Sequence, residues 1–327
     1  MEIIGECLDA VLIDLYKSML LNGETNKAGR GTTTEMLGVA LRLSNPRARL
    51  SRSEDRGKPF SAIGELLWYL SKSDKLDFIQ PYVPAYVQDA EEGRLYGAYG
   101  PRLFSMRGSI DQVANVIKLL SESPGSRRAV IQLFNAEDIE VRYPEIPCTT
   151  SLQFHVRNQK LHMSVTMRSN DAYWGLPHDV FCFTMLQEMM ARKLALDIGE
   201  YYHYAGSMHV YEDYIPAMKA YVEEGYQKMI EMPPMPEGDQ FECAAEILRA
   251  EDEIRHGGKV VAADFANSDY WGDIIRLVQI FWASGQKKPL DLLRDELVNP
   301  NYKTYVEGRR NMKVKEPKTR GTALGGQ

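Results

Sequence analysis

The feature that most constrains the fold is a pair of strand-like stretches followed by an apolar helix. Residues 150–156 and 161–168 alternate apolar and polar side chains, and the polar run 157–160 separates them. This pattern predicts a β-hairpin. Residues 179–195, rich in Phe, Leu and Met, predict a buried helix soon after it. Locally paired strands and helices in one chain indicate the α+β class.

The rest of the chain supplies further elements and one change of composition. The periodicity predicts helices at 3–21, 60–72, 111–122, 209–224, 270–284 and 288–297, strands at 35–43, 127–134 and 199–206, and a turn-rich loop at 97–101. Residues 231–268 are Pro-rich and then acidic, which predicts a surface insertion. We therefore expect one domain over 1–327, with a mobile basic tail at 308–327.

Charge and cysteine usage exclude several classes of protein. The net charge of −6 argues against a basic nucleic-acid binder. The four cysteines form no CxxC pair and have no metal-type spacing with histidine, so we expect no metal site. No apolar run approaches membrane-spanning length, and the first residues lack a basic leader. These features predict a cytoplasmic protein with reduced thiols and no membrane partner.

Cys148 is the candidate nucleophile. It lies in a polar, turn-like setting at the entry to a strand, and Arg168 follows one hairpin later. A nearby cation stabilises a thiolate, which is the attacking form of cysteine. A lone cysteine is more often a small buried hydrophobic residue. That simpler interpretation applies to Cys7, Cys182 and Cys243.

Several arginines stand at loop or strand ends and suit phosphate binding. They are Arg30 in a Gly/Thr-rich loop, the pair Arg127 and Arg128, and Arg168, which precedes Ser169. Converging guanidinium groups hold phosphate by bidentate hydrogen bonds. As separate residues they are ordinary solvated cations, and spacing alone leaves both interpretations open.

A carboxylate and an aromatic pair are further candidates. Glu65 lies on the apolar face of its predicted helix, where an unpartnered carboxylate is costly to bury. We therefore expect it to be paired or functional, with a raised pKa suited to proton transfer. His209 and Tyr211, at a predicted strand-to-helix junction, can contact a ligand together or serve the structure alone.

Taken together, the segments resemble the thymidylate synthase family over roughly residues 1–225. The similar motifs follow in family order: Gly-Arg-Gly-Thr-Thr from Gly29, Gly-Glu-Leu-Leu-Trp-Tyr-Leu from Gly64, Tyr99-Gly100, Ser126-Arg127-Arg128, Pro147-Cys148, Arg168-Ser169-Asn170-Asp171, Gly175-Leu176-Pro177 and His209-Val210-Tyr211. The resemblance identifies Cys148 as the nucleophile and Glu65 as the catalytic glutamate.

The resemblance also implies a fold, partners and roles. The fold is an α+β core around a mixed sheet, with a homodimer formed through the sheet face. Arg127 and Arg128 would then reach the nucleotide phosphate of the partner subunit. The implied co-substrate is 5,10-methylenetetrahydrofolate, with no metal. On the nucleotide side the implied residues are Arg30, Arg168, Ser169, Asn170, Asp179, His209 and Tyr211, and on the folate side Glu65, Tyr86, Asp171 and Gly175.

The base-reading position departs from the synthase pattern. Synthases that act on deoxyuridylate carry Phe-Asn after Leu-Pro, whereas this chain carries His178-Asp179. An asparagine amide suits the C4 carbonyl and N3–H of uracil, and a carboxyl suits the C4 amino group and N3 of cytosine. A mismatched buried polar group strongly penalises the wrong base. The resemblance therefore points to the cytidylate and deoxycytidylate 5-hydroxymethylase branch.

Three further departures favour water over hydride as the final acceptor. Tyr86 stands nearest to the position of a synthase tryptophan, and Thr149 replaces a histidine. The Gly-Gly-Gln end differs from the apolar synthase terminus that closes over folate. Hydride transfer needs a dry, closed site.

The expected reaction has Cys148 adding to C6 of cytosine while Asp179 stabilises N3 and the amino group. The C5 proton leaves to a water near Tyr99, and a water positioned by Glu65 adds to the exocyclic methylene. The products are a 5-hydroxymethyl nucleotide and tetrahydrofolate. Two alternatives stay open: a thymidylate synthase acting on deoxyuridylate, and a non-catalytic nucleotide- or RNA-binding relative. The choice between CMP and dCMP is also open.

Overall fold

The computed structural model describes residues 2–29, 31–51 and 59–319. Contacts divide the chain into two compact units, Met1–Gln240 and Phe241–Gln327. The predicted insertion at 231–268 spans this boundary. Spatial clustering does not test whether the units fold independently, so the single domain with an insertion stays a prediction.

A mixed seven-stranded sheet forms the centre of the first unit, counted over its described residues. The strands run in the order β1-β3-β7-β6-β5-β4, and β2 pairs with β3. The β1–β3 and β6–β7 pairs are parallel, and the other pairs are antiparallel. The strands are β1 (Glu2–Gly5), β2 (Glu24–Ala28), β3 (Gly31–Leu43), β4 (Val130–Gln132), β5 (Thr149–Arg157), β6 (Lys160–Asp171) and β7 (Asp197–Tyr211).

The predicted hairpin is confirmed as β5 and β6. Its turn residues Asn158 and Gln159 have φ angles of 51° and 59°, the left-handed values that a tight two-residue hairpin turn requires. Along β6 every second side chain from Leu161 to Met167 is buried, and the intervening ones are half-buried. One face of the sheet therefore carries the core, and the other is polar and partly open.

The helices of the described residues are α1 (Leu8–Asn22), α2 (Phe60–Leu70), α3 (Leu76–Ile79), α4 (Tyr99–Phe104), α5 (Gln112–Glu122), α6 (Gly175–Lys193), α7 (Ile215–Glu224), α8 (Gln240–Arg255), α9 (Trp271–Trp282) and α10 (Lys287–Glu296). Helices α1 and α6 pack on the sheet, and α2 packs on α6. The α2–α6 contact brings Glu65 next to the first turn of α6.

Several predicted boundaries are wrong for a tertiary reason. Residues 2–5 extend as β1 because they pair with β3, so the first helix begins only at Leu8. Strand β7 continues to Tyr211 because β3 and β6 pair with it, and α7 therefore begins at Ile215. The predicted loop at 97–101 ends earlier than expected, because α4 begins at Tyr99. At β1 and β7, non-local strand pairing overrides the local pattern.

The second unit is organised around α9, which is apolar and buried from Trp271 to Val278. The buried carboxylate of Asp273 accepts hydrogen bonds from the backbone N–H groups of Val298 and Asn299, at 3.0 and 2.7 Å. Within the predicted tail, Arg309 is buried and lies over the Phe281 ring. Among the described residues, no helix has the length and apolar character that crossing a membrane requires.

Candidate active site

The hairpin places the candidate nucleophile beside a cation. Cys148 directly precedes β5, and the backbone N–H of Arg168 on β6 donates to its carbonyl at 2.8 Å. The Arg168 guanidinium donates from Nε to Pro147 O at 2.9 Å and from Nη2 to Ile146 O at 3.0 Å. Nη2 also lies 3.6 Å from Cys148 Sγ. The guanidinium charge is thus held at the sulfur, where it favours the thiolate.

Tyr99, at the start of α4, lies between the thiol and the buried carboxyls. Its hydroxyl oxygen accepts hydrogen bonds from the backbone N–H and the Oγ1 of Thr149, at 3.0 and 2.9 Å. Burial, together with the charges of Cys148 and Asp179, raises the pKa of Tyr99 well above its usual value. Tyr99 is therefore a neutral phenol whose own proton points away from Thr149 and can be donated.

Glu65 is buried on α2 and receives three hydrogen bonds. Tyr69 and Tyr86 donate to Oε1 at 3.1 and 2.8 Å, and His178 Nδ1 lies 3.0 Å from Oε2. Burial alone raises the pKa of Glu65, but the hydrogen bonds and the imidazole of His178 together lower it below its usual value. The predicted raised pKa is therefore wrong, because burial is outweighed by three donors.

Asp179 is the second buried carboxyl of the site, and its pKa is shifted in the opposite direction. Asn170 Nδ2 donates to Asp179 Oδ2 at 2.8 Å. Burial, followed by the charge of Glu65, raises the pKa of Asp179 well above its usual value, although the Asn170 bond lowers it. The two neighbouring carboxyls therefore differ in acidity, with Glu65 the stronger acid.

His178 is a site residue to which the sequence analysis assigned no role. It lies in the first turn of α6, and its imidazole connects Glu65 Oε2 to Ser61 Oγ, with Nε2 to Oγ at 2.9 Å. Ser61 and Glu65 are four residues apart on α2 and so share one helix face. That spacing was the available signal, but which residue faces the pair depends on the packing of α2 against α6.

Glu145 is a second residue near Cys148 that the sequence did not indicate. It lies three residues before Cys148 in a polar loop, and its Oε2 accepts the backbone N–H of Gly97 at 2.9 Å. Burial raises the pKa of Glu145. A single acidic residue in a loop gives no sequence signal, because its burial depends on the chain that folds over it.

The turn into α6 uses two predicted folate-side residues. Asp171 Oδ1 accepts the backbone N–H groups of Tyr173 and Trp174, at 2.7 and 2.8 Å. A Cβ at Gly175 would lie 3.1 Å from Asn170 Nδ2, tighter than ordinary contact. Glycine at this position therefore lets the chain pass close to the Asn170–Asp179 pair. Facing the folate stays a prediction for both residues.

The predicted nucleotide-binding residues are only partly brought together. Ser169 Oγ lies 3.4 Å from His209 Nδ1, and the rings of His209 and Tyr211 are 5.5 Å apart. His209 and Tyr211 are among the last three residues of β7, and a 3-10 turn starts at Glu212, so the predicted strand-to-helix junction is confirmed. Burial lowers the pKa of His209. Ser169 follows Arg168 on β6, and His209 and Tyr211 lie on the neighbouring strand β7.

The four predicted phosphate arginines are not assembled within the described chain. Arg127 and Arg128 are exposed before β4, and Arg30 lies outside the described residues. Among the predicted arginines that the structure describes, Arg168 contacts the Cys148 loop. Over the residues that the structure describes, no group of three His, Cys, Asp or Glu side chains is placed to hold a metal ion.

Comparison with known proteins agrees with this geometry. The family model for thymidylate synthase matches residues 11–244. The chain is 28% identical over 245 residues to a deoxyuridylate hydroxymethyltransferase of Bacillus phage SP01, covering 70% of this chain and 64% of that protein. It is 31% identical over 205 residues to a thymidylate synthase of Francisella philomiragia, covering 58% and 74%.

A thymidylate synthase of Bacillus subtilis subsp. natto is 35% identical over 171 residues, covering 50% of this chain and 61% of that protein. The chain therefore spans less than two thirds of the length of the phage and Bacillus relatives.

Proposed function

The chain belongs to the thymidylate synthase family, and from that membership we propose that it hydroxymethylates a cytidine nucleotide. The substrates are CMP or dCMP, 5,10-methylenetetrahydrofolate and water, and the products are the 5-hydroxymethyl nucleotide and tetrahydrofolate. The observation that carries the proposal is the buried Asp179, which is bonded to Asn170 and whose pKa is raised by burial and by the neighbouring Glu65.

A protonated carboxyl at this position matches cytosine. Its O–H can donate to N3, and its carbonyl oxygen can accept from the C4 amino group. If the group ionises, it still accepts from the amino group, but the bond to N3 is lost, and an unpaired buried acceptor is costly. A protonated carboxyl can also pair with O4 and N3–H of uracil, so the preference for cytosine rests on Asp179 standing where the synthases carry asparagine, and not on the number of hydrogen bonds.

Cys148 supplies the covalent step. The thiolate adds to C6 of the pyrimidine, which makes C5 nucleophilic, and expulsion of the thiolate later restores the aromatic ring. Arg168 stabilises the thiolate in the free enzyme through its contact at 3.6 Å. The Tyr99 hydroxyl oxygen accepts both of its hydrogen bonds from Thr149. Its own proton is therefore available to donate a hydrogen bond near C5 of the nucleotide.

Methylenetetrahydrofolate, the family's co-substrate, supplies the one-carbon unit at C5. Asp171 and the half-exposed indole of Trp174 fit its pteridine, which offers N–H donors and a flat ring. Asp171 Oδ1 is used by the backbone, so Oδ2 is the oxygen that reaches a ligand. Glu65, ionised and held by three donors, orients the water that adds to the exocyclic methylene.

A homodimer through the sheet is part of the proposal. The sheet face opposite the core is half-buried, with Tyr204 and Leu37 exposed on it. The exposed Arg127 and Arg128 would then serve the partner's nucleotide phosphate. This arrangement accounts for two arginines that contact no part of the Cys148 loop in their own chain.

The test is product identification with purified full-length protein. The protein is incubated with methylenetetrahydrofolate and, separately, CMP, dCMP or deoxyuridylate, and the nucleotides are resolved by mass spectrometry. We expect 5-hydroxymethyl product and tetrahydrofolate from a cytidine nucleotide. Formation of dihydrofolate, followed by its absorbance, together with a methylated uracil nucleotide would refute the proposal.

The second candidate is hydroxymethylation of deoxyuridylate. It is favoured by the phage relative, which carries that activity in its name. The same incubation separates the two, because 5-hydroxymethyldeoxyuridylate differs in mass from both the cytidine product and thymidylate.

A further inference from the structure

His178 is placed where it can control the Glu65 carboxylate. Its Nδ1 lies 3.0 Å from Glu65 Oε2 and its Nε2 lies 2.9 Å from Ser61 Oγ, so both ring nitrogens are used within one network. The residue is in the first turn of α6, and both of its partners are on α2. The imidazole therefore connects the two helices through the carboxylate.

The hydrogen bonding determines the role of the imidazole. Glu65 Oε1 already accepts the Tyr69 and Tyr86 hydroxyl protons. For Oε2 to be satisfied as a carboxylate, Nδ1 must carry the proton. The other ring nitrogen, Nε2, has Ser61 Oγ as its partner at 2.9 Å.

The same bond influences the neighbouring carboxyl. The charge of Glu65 is a cause of the raised pKa of Asp179, so a donor that keeps Glu65 ionised also helps to keep Asp179 protonated. Four other titratable groups feel the charge of Glu65, from α2, from the turn before α4 and from α6: Tyr69, Tyr86, Asp179 and Cys182. Among these five neighbours, His178 is the one that can carry a positive charge.

We infer that His178 is a positioning residue for the reaction: by bridging Ser61 and Glu65, its imidazole holds the Glu65 carboxylate in one orientation and in its charged form beside Asp179. The inference rests on the proposed function for the role of Glu65 in directing water. A phenyl group, which synthases carry here, fills the same space but cannot donate this hydrogen bond.

The decisive variants are His178→Phe, which keeps the ring and removes both nitrogens, and His178→Asn, whose amide N–H can replace Nδ1–H. In His178→Phe we expect kcat to fall about tenfold to a hundredfold, the loss of one hydrogen bond to a charged group. The KM for the nucleotide should change little, because the imidazole contacts Glu65 rather than the nucleotide. His178→Asn should recover most of the kcat.

The pH profile distinguishes positioning from simple packing. Losing the donor raises the pKa of Glu65, so the acid limb of kcat should move to higher pH in His178→Phe and return in His178→Asn. A His178→Phe protein with wild-type kcat and acid limb would overturn the inference. Equal losses of kcat in His178→Phe and His178→Asn, with the acid limb at its wild-type pH, would also overturn the inference. That result would show that His178 contributes through packing and not through its hydrogen bond to Glu65.

Two controls complete the design. His256→Phe, in the second unit, makes the same chemical change outside the site and should leave kcat unchanged. Product identity in the wild-type protein tests the proposed function separately. If the wild type methylates deoxyuridylate instead, the proposed function fails, and the comparison of acid limbs still decides the role of His178 in that reaction.

Discussion

The two ends of the candidate site differ in exposure and in charge. At one end Cys148 is half-exposed and faces the guanidinium of Arg168. At the other end Glu65 and Asp179 are buried. Hydrogen-bond donors lower the pKa of Glu65, whereas burial and the charge of Glu65 raise the pKa of Asp179. Tyr99 lies between the ends and responds to both charges.

The difference in burial between the Cys148 end and the Glu65–Asp179 end indicates which step of the proposed reaction each end suits. The guanidinium of Arg168, held by two backbone carbonyls, stabilises the Cys148 thiolate by its charge. This stabilisation does not require the thiolate to be buried. Base recognition needs burial, because a mismatched polar group is penalised only where water cannot replace its partner. In the proposed function, covalent chemistry therefore belongs to the open end and nucleotide choice to the closed end.

The largest expected effect is at the thiol end. Cys148→Ser should lower turnover by about four orders of magnitude or more, since the covalent step is lost altogether. Steady-state formation of hydroxymethyl product measures it, with nucleotide binding measured by calorimetry. Cys243→Ser is the matched control and should be fully active. Substantial turnover in Cys148→Ser would remove the assigned chemistry from the open end.

The next effect concerns selectivity at the carboxyl end. Asp179→Asn should shift the ratio of kcat/KM for cytidine over uridine nucleotides by about a hundredfold or more towards uridine, because an amide matches O4 and N3–H. Competition between the two nucleotides in one reaction measures the ratio. Asp197→Asn, an equivalent change at the exposed start of β7, should leave it unaltered. An unchanged ratio in Asp179→Asn would contradict base reading by this residue.

A third prediction uses the opposite pKa shifts of the two carboxyls. Glu65 must be ionised, so kcat/KM for the cytidine nucleotide should fall only at a pH below the usual glutamate range. Asp179 must be protonated to donate to N3, so kcat/KM should also fall as pH rises through its raised pKa, by about tenfold per pH unit. The fall of kcat/KM at high pH should be absent in Asp179→Asn. If it is still present in that variant, a group other than Asp179 causes it.

The smallest expected effect is on stability. A carboxyl whose pKa is raised by folding stabilises the protein below its unfolded pKa, and this contribution is lost as pH rises through the folded value. Asp179→Asn should therefore raise Tm more at pH 8 than at pH 5, by about 2–4 °C for each kcal/mol. Calorimetric Tm values at the two pH values test this. Cys148→Ser, at the open end, should show no such difference.

Much of the site could be predicted from local sequence. The hairpin followed from alternation and a polar turn, and Cys148 and Arg168 followed from their positions at the two strand ends. The family resemblance added Tyr99, Asp179, Ser169 and His209 to the predicted site residues. Each of these signals is carried by residues near one another in sequence or by motifs in a fixed order.

The wrong or missing parts depend on distant contacts. The pattern of β1 predicts a helix because its pairing partners in β3 lie 38 residues further along the chain, as in the pair Glu2 and Ala40. The pKa of Glu65 was expected to be raised because burial was visible in the pattern, but its three donors come partly from other segments: Tyr86 and His178. The spacing of Ser61 and Glu65 on one helix face could not identify His178 as their partner, because that contact depends on how α2 packs against α6.

The sequence by itself determined the hairpin and the identity of the side chains that we propose as nucleophile and base reader. Only the tertiary structure decided the opposite pKa shifts of the two carboxyls and the position of His178 between α2 and α6. The physical reason is that a side chain's identity is a local property, whereas its pKa is set by every donor and charge that the fold places around it.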